Sequence, residues 1–197
     1  SDTALLAAVA REVVPVLSEA GQAPCFWIID DTGYRKYGKH SVGVARQYCG
    51  QLGKTENCQV AVSLSLATVE GSVPLDYRLY LPAEWAEDKR RCKRAGVPKE
   101  IAFATKGEIA WAQIEAALAA GIPRGTVLMD AGYGDEAALR DRLSEHGLPY
   151  AVGIKPATAV WWEEHQPASA PVKQGRGRRR TRVLRDETHQ PIGVREL

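Results

Sequence analysis

The sequence predicts an α/β fold in which helices flank a mixed sheet, and three observations indicate it. The chain has 197 residues, which fits one domain or one domain with a tail. Hydrophobic residues make up 45% of the chain, enough to bury a sizeable core, and the charged fraction of 25% is ordinary for a globular protein. Strand patterns dominate the first half, whereas helix and strand patterns alternate in the second half. This order predicts antiparallel strand pairs followed by parallel ones.

Composition also argues against several classes of protein. No run of about 18 apolar residues is present, so no membrane span is expected. The start of the chain lacks the basic and apolar regions of a secretory signal. Cys25, Cys49, Cys58 and Cys92 are too scattered for a zinc knuckle or a redox motif, so we expect free thiols in a reducing cytosol.

The first elements are a helix and a strand. A helix is predicted from Thr3 to Ala20, where apolar residues recur at helical spacing, and Pro15 is expected to kink it or end it early. The run Cys25–Asp30 is short and bulky, which favours a buried strand. Residues 31–54 are then rich in glycine, basic residues and tyrosine, so we expect a long irregular stretch.

Two further strands, Cys58–Thr68 and Val73–Leu81, are predicted to form a hairpin, because turn residues at Glu70–Ser72 separate them. The polar segment Pro82–Gly96 is expected on the surface. For Pro98–Thr105 we expect either a short helix or an extended segment.

The second half alternates helices and strands. We expect helices at Lys106–Ala120 and Asp135–His146, and strands at Thr126–Asp130 and Leu148–Ile154. A three-stranded antiparallel meander followed by alternating helices and strands is the element order of the ribonuclease H-like fold. The sequence therefore predicts that fold, with a mixed sheet flanked by helices.

Two predicted strands end in an aspartate, Asp30 after the first and Asp130 after the fourth. Ligand sites of open α/β sheets lie at the carboxyl ends of strands, so neighbouring strands would bring these carboxylates together. Carboxylate oxygens suit hard cations such as Mg²⁺. Two such ions about 3.5–4 Å apart can activate a water and stabilise the leaving oxygen of a phosphodiester. The pair is therefore a candidate metal site.

Asp31 directly follows Asp30, and neighbouring side chains on a strand point to opposite faces. We expect Asp30 to share a face with Asp130. Asp31 is then expected to cap a turn at Thr32–Gly33. Turn capping after a strand is also the alternative role of Asp30 and Asp130, because aspartate is common at such positions.

Basic residues cluster in two places. The first cluster follows Asp30 and is interleaved with tyrosines, a combination that can neutralise phosphates and stack on unpaired bases. The second runs from Lys173 to Arg185, with seven basic residues and no acidic one. The candidates for nucleic-acid contact are Arg35, Lys36, Lys39, His40, Arg46 and Lys54 in the first cluster and Arg178, Arg179 and Arg180 in the second. Solvated loops are the alternative for both clusters, and a structural hydrogen bond is the alternative for His40.

Five sequence blocks carry a resemblance to a known family. They are W-I-I-D-D-T-G and its continuation at Trp27–Val62, R-L-Y-L-P-A-E-W at Arg78–Trp85, A-G-V-P at Ala95–Pro98, F-A-T-K at Phe103–Lys106 and D-A-G-Y-G at Asp130–Gly134. In this order the blocks resemble bacterial insertion-sequence transposases of the DDE superfamily. The resemblance covers roughly residues 25–156, far more than a single short motif.

The resemblance implies a reaction, namely metal-assisted strand cleavage and strand transfer at transposon ends. It makes Asp30 the first catalytic carboxylate and Asp130 the second. Both would hold Mg²⁺ or Mn²⁺, with two ions in the complete enzyme. It implies transposon ends and target DNA as partners, allows a homodimer in the synaptic complex, and places the protein in the bacterial cytoplasm, at the nucleoid.

The third carboxylate of this family is a glutamate on a later helix, in an aromatic-Arg-Ile-Glu context that is not found before Leu197. Glu163 and Glu164 follow Asp130 by 33 and 34 positions (163 − 130 and 164 − 130), a spacing found in compact enzymes of the superfamily. The alternative is a solvated glutamate pair, which the family pattern favours. We therefore expect the third ligand beyond Leu197 and the fragment alone to be inactive.

The resemblance also divides the chain into three parts. Residues 1–22 would be the remnant of a helical DNA-binding region, residues 23–157 the catalytic core, and residues 158–197 the partly irregular start of an inserted basic region. Two alternatives stay open. One is a truncated or relic transposase domain that binds DNA without catalysis, and the other is a different ribonuclease H-like nuclease.

Overall fold

The computed structural model describes residues 2–19, 25–161 and 190–196. The chain forms two compact units, Ser1–Gly153 and Ile154–Leu197. Within the second unit, Ala159–Val160 pairs antiparallel with Ile192–Gly193. The remaining strands and all the α-helices of the described residues belong to the first unit.

A six-stranded sheet forms the centre of the first unit. Its strands are β1 (Phe26–Arg35), β2 (Ala45–Cys49), β3 (Lys54–Ala67), β4 (Ser72–Leu79), β5 (Thr126–Met129) and β6 (Tyr150–Val152). β1 is central, antiparallel to β3 and parallel to β5, and β6 lies parallel beyond β5. On its other side the long β3 pairs first with β2 and then with β4.

The predicted fold class is confirmed. β1, β3 and β4 form the antiparallel meander, and β5 and β6 add the parallel strands. The hairpin of β3 and β4 closes where the amide of Thr68 donates to the carbonyl of Gly71 at 2.8 Å. With helices packed against this mixed sheet, the first unit is ribonuclease H-like.

The expectation of an irregular stretch at residues 31–54 is confirmed for residues 36–44, which form no helix or strand, and is wrong for the others. β1 continues through Arg35, and the stretch also contains β2, a 3-10 turn at Gly50–Leu52 and the first residue of β3. β1 beyond Asp30 is polar and lacks the apolar alternation of a strand, yet it keeps its register with β3, from Asp31 opposite Val62 to Arg35 opposite Cys58. Pairing with a partner distant in sequence decides its structure.

Six α-helices lie in the described residues, and none of them is long and apolar enough to cross a membrane. They are α1 (Asp2–Glu19), α2 (Ala83–Glu87), α3 (Lys89–Arg94), α4 (Lys106–Ala119), α5 (Ala131–Gly134) and α6 (Ala137–Glu145). α1 continues past Pro15, so the proline does not end the helix early. Ala10 and Val14 of α1 form an apolar cluster with Leu66 and Val73, which packs the helix against β3 and β4.

The main core joins the sheet to α4 and α6. Trp27 and Ile29, two positions apart on β1, belong to one cluster with Ile114 of α4 and Leu143 of α6, and all four are at most 2% exposed. Burying an apolar side chain of this size contributes about 1.5–3 kcal/mol before the loss of conformational entropy. This cluster fixes β1 and β5 beneath α4 and so sets the positions of the residues that follow each strand.

The segment expected as a surface excursion, Pro82–Gly96, is more ordered than predicted. It contains α2 and α3, and Trp85 within it is fully buried. The indole N–H of Trp85 donates to the carbonyl of Val44 at 2.8 Å, which ties α2 to the loop before β2. Of the two expectations for Pro98–Thr105, the short helix does not form: the amide of Ile101 donates to the carbonyl of Pro98 at 3.1 Å in a turn, and no regular element follows before α4.

Candidate active site at the carboxyl edge of the sheet

The register of β1 and β5 sets Asp30 and Asp130 at the same level of the sheet. The two strands are parallel, and Ile29 pairs with Met129, the residues just before the two aspartates. Ile29 and Met129 are buried in the core, so the next side chain on each strand projects to the opposite face. Asp30 and Asp130 therefore lie on one face of the sheet. Asp130 directly follows β5, whereas Asp30 lies in the middle of β1, so the prediction that Asp30 ends its strand is wrong: pairing with β3 extends β1 to Arg35.

The carboxylate of Asp130 is held by the start of α5. Its Oδ1 accepts the backbone N–H groups of Gly132 at 2.8 Å and Tyr133 at 3.3 Å, which is an N-cap. A side chain at Gly134 would collide with the carbonyl oxygen of Gly153, so glycine lets α5 lie close to the end of β6. The D-A-G-Y-G block thus caps and packs the turn that orients Asp130.

Asp30 is exposed, and its Oδ1 accepts the backbone N–H of Asp31 at 2.8 Å. Within the described part of the chain, the hydrogen bonds to the carboxylates of Asp30 and Asp130 all go to Oδ1, and neither carboxylate has an ion-pair partner. These two carboxylates lie on the same face at the same level of adjacent strands, and a divalent cation with oxygen ligands would offset the charge of both. The donor set therefore fits Mg²⁺ or Mn²⁺.

Asp31 lies on the other face of β1, where it has two partners. Lys106 at the start of α4 donates to Oδ2, and the hydroxyl of Tyr133 in α5 donates to Oδ1. The turn that Asp31 was expected to cap at Thr32–Gly33 does not exist, because both residues continue β1. Asp31 instead connects β1, α4 and α5 next to the candidate site.

The hydroxyl of Tyr133 keeps its proton. Burial raises the pKa of Tyr133 far above its usual range, and the negative charges of Asp31, Asp130 and Asp30 raise that pKa further. Tyr133 is consequently a permanent hydrogen-bond donor to Asp31. The same interactions show that all three carboxylates act electrostatically on one side chain.

A third acidic ligand is not found where the structure describes the chain. No group of three or more His, Cys, Asp or Glu side chains there could hold a metal ion. Glu163 and Glu164 lie outside the described residues.

The basic candidates lie in several different environments. Arg35 and Lys54 flank Glu56, with N–O distances of 3.9 Å and 3.6 Å, and Arg46 is exposed on β2. Lys36 is half-buried, and its backbone exchanges hydrogen bonds with Asn57. Lys39 and His40 line a surface cleft together with α3. Arg178, Arg179 and Arg180 lie outside the described residues.

Four residues near the candidate sites were not predicted from the sequence. The fold brings Lys106 and Tyr133 next to the carboxylates, and Arg91 and Arg94 into the cleft. Lys106 ends the F-A-T-K block and Tyr133 lies inside D-A-G-Y-G, so the blocks themselves were the available signal. For the two arginines, the only signal was the density of basic residues in Lys89–Arg94.

The chain is also similar in sequence to known proteins. The whole chain, residues 1–197, matches the family described as DDE superfamily endonuclease. Over 135 residues it is 36% identical to a protein of Microchaete diplosiphon described as a probable transposase for insertion sequence element IS701. That match covers 67% of this chain and 32% of the relative, so it spans about a third of the relative's length. By sequence along its whole length, the chain belongs to the DDE superfamily endonuclease family.

Proposed function

We propose that this chain is the catalytic part of a DNA transposase, which cleaves a phosphodiester at the ends of an insertion sequence and transfers the freed strand to target DNA. The observation that carries the proposal is the pair of carboxylates, Asp30 and Asp130, at the same level of two adjacent parallel strands and without an ion-pair partner among the described residues. Membership of the endonuclease family and the likeness to a probable transposase support it.

Asp30 and Asp130 would hold Mg²⁺ or Mn²⁺, with two ions in the complete enzyme. Such ions lower the pKa of a bound water and stabilise developing charge on phosphate oxygens. Backbone amides fix Oδ1 of both carboxylates, which leaves Oδ2 of each for an ion. Lys106 and Tyr133 bind Asp31 on the other face of β1, so that carboxylate is kept out of the site.

The basic residues would hold the DNA backbone rather than read its sequence, since phosphate contacts position a duplex without specifying bases. The set comprises Arg35, Lys36, Lys39, His40, Arg46, Lys54, Arg178, Arg179 and Arg180. The proposal keeps the division into a DNA-binding helical remnant (1–22), a catalytic core (23–157) and an inserted basic region (158–197). It also keeps a homodimer in the synaptic complex and a place at the nucleoid of the bacterial cytoplasm.

The metal assignment is tested by titrating Mn²⁺ into ¹⁵N-labelled protein. Amide signals of residues 29–31 and 129–133 should broaden first, because paramagnetic broadening falls steeply with distance from the ion. Binding should be weak, since only two carboxylates of the described residues contribute. Asp130→Asn should abolish this pattern, and Asp141→Asn, which removes an exposed carboxylate of α6, should keep it. The same broadening in Asp130→Asn would contradict the assignment.

Cleavage of a labelled transposon-end duplex with Mn²⁺ distinguishes the transposase from its alternatives. Any cleavage should fall by more than about 100-fold in Asp130→Asn, because losing mere supporting partners of metal ligands already costs about 10–100-fold. If the unmodified protein binds the duplex without cleaving it, the result favours a relic transposase domain. This is the expected result if no third carboxylate completes the site. Preference for RNA–DNA hybrids would favour another ribonuclease H-like nuclease.

A further inference from the structure

A cationic cleft of about 470 Å³ lies between the loop after β1 and α3. Its lining residues are Lys39, His40, Trp85, Arg91, Arg94 and Ala95. Three of these carry a permanent positive charge, a fourth is histidine, and none is acidic. The volume falls within the range of about 300–1,000 Å³ that is typical of ligand sites.

Arg91 is held in place at the wall of this cleft. Its guanidinium carbon lies 3.7 Å from the ring centroid of the buried Trp85, and one of its N–H groups donates to the carbonyl of Lys39 at 2.9 Å. Glu84 approaches it only to 3.9 Å and is itself exposed. An arginine already ordered by stacking and a backbone contact loses little further conformational entropy when it binds an anion.

The cleft lies beyond the candidate active site in the direction in which β1 and β4 run, since β1 continues for about five residues, roughly 17 Å, past Asp30 before the loop that carries Lys39 begins. β1 and β4 both run antiparallel to β3 and therefore point the same way. Asp30 is level with Ser63 of β3, and Ser63 is level with Tyr77 of β4. The loop that carries Lys39 leaves β1 beyond Asp30, and the α2–α3 segment leaves β4 just beyond this level.

We propose that this cleft binds phosphate groups of the DNA backbone and so holds the substrate beside Asp30 and Asp130. The inference deepens the proposed transposase function and rests on it. Arg91 and Arg94 offer planar guanidinium groups that match phosphate oxygens, and Lys39 adds a mobile point charge.

A nucleic acid suits this surface better than a small anion does. Five of the six residues of α3 are basic, so positive charge extends well beyond the cleft itself. An extended array of cations is attractive chiefly to a polyanion, which releases its counterions on binding. The cations also offset the repulsion that Asp30 and Asp130 exert on an approaching phosphodiester.

The test is the salt dependence of binding to a fluorescent 30-base-pair duplex in EDTA, which removes metal and cleavage. Arg94→Gln should make the slope of log K against log salt less negative by about 0.9, and Lys39→Gln combined with Arg94→Gln by about 1.8. Arg90→Gln is the matched control, because Arg90 lies on the same helix, is exposed and does not line the cleft. It should change the slope by clearly less than Arg94→Gln does, because a cation outside the cleft contributes only to the diffuse attraction of α3.

Every other outcome contradicts the proposal that this cleft binds DNA phosphates. Equal effects of Arg94→Gln and Arg90→Gln on the slope would mean that the helix attracts DNA only diffusely. No effect of either substitution would mean that DNA does not contact the cleft. In both cases the transposase proposal still stands if the unmodified protein binds the duplex. Absence of duplex binding by the unmodified protein would overturn both proposals. If a poly-glutamate peptide bound as tightly as DNA and Arg94→Gln abolished that binding, the cleft would be a site for an acidic protein segment instead.

Discussion

Asp31 shows how adjacent residues of the same type can acquire different roles. Asp30 and Asp31 are neighbours on β1, yet of their two carboxylates only that of Asp31 has charged and hydroxyl partners among the described residues, Lys106 and Tyr133. Hydrogen bonds to a charged group contribute about 1.5–3 kcal/mol when they are protected from water. Asp31 and Lys106 have side chains 29% and 31% exposed, so solvent screening reduces their share.

At this scale we predict the effect of Tyr133→Phe. The ring stays buried, and only the donor to Asp31 is lost, so the free energy of unfolding at neutral pH should fall by about 1–2 kcal/mol. Urea unfolding measures the change. Tyr48→Phe is the control, because Tyr48 is 61% exposed and should shift the free energy by less than about 0.5 kcal/mol. Equal values for the two variants would show that the Tyr133 hydroxyl contributes nothing to stability.

Among the elements, the start of α4 matters most because it presents Lys106 to Asp31. A capping box fixes this start: Thr105 Oγ1 accepts the amide of Glu108 at 3.1 Å, and Glu108 Oε2 accepts the amide of Thr105 at 2.7 Å. A side chain at Gly107 would collide with the carboxylate of Glu136, which docks the helix start beside α6.

Thr105→Ala tests the cap. Removing the side-chain acceptor should destabilise the protein by about 1 kcal/mol in chemical unfolding. Glu115→Ala, at an exposed position of the same helix, should have little effect. If Thr105→Ala behaved like Glu115→Ala, the capping box would not be significant for stability.

The same cap has a pH dependence of known sign. The hydrogen bond from the Thr105 amide lowers the pKa of Glu108 below its ordinary value of 4.5. A lowered carboxylate pKa stabilises the fold above that ordinary value, and the contribution is lost as the pH falls through the lower, folded-state pKa. The contribution of Glu108 is therefore complete at neutral pH and disappears in acid.

In the molecule as a whole, the main core lies entirely within Ser1–Gly153. The six-stranded sheet and the six α-helices of the described residues also lie in that unit. A unit with its own core and completed sheet meets the conditions for folding alone.

We therefore predict that a chain ending at Gly153 unfolds in one cooperative thermal transition and gives a dispersed amide NMR spectrum. A chain ending at Arg124 is the contrasting variant, because it lacks β5, β6 and α6 and with them Val127 and Leu143 of the core. It should not fold cooperatively. Loss of the transition in the chain ending at Gly153 would show that its core depends on residues 154–197.

The amino-acid sequence by itself determined the elements whose signals are local. Apolar runs defined the centres of β1, β3, β4 and β5, and the turn after Thr68 defined the hairpin. The Ala-rich periodicity from Lys106 defined α4. The aspartates at the ends of two apolar runs were visible as a candidate pair, and the sequence blocks around them identified the family. These signals reside in consecutive residues, so they can be recognised before the chain folds.

Only the tertiary structure decided the rest. β2 and the polar end of β1 form because they pair with β3. Trp85 is buried because it packs with Val44 and Leu81, and the Val44 carbonyl accepts a hydrogen bond from its indole N–H. Asp31 accepts hydrogen bonds from residues 75 and 102 positions away in the chain, Lys106 and Tyr133, and does not cap a turn as predicted. The physical reason is that pairing, burial and charge compensation depend on groups far apart in the chain, whose proximity exists only in the fold.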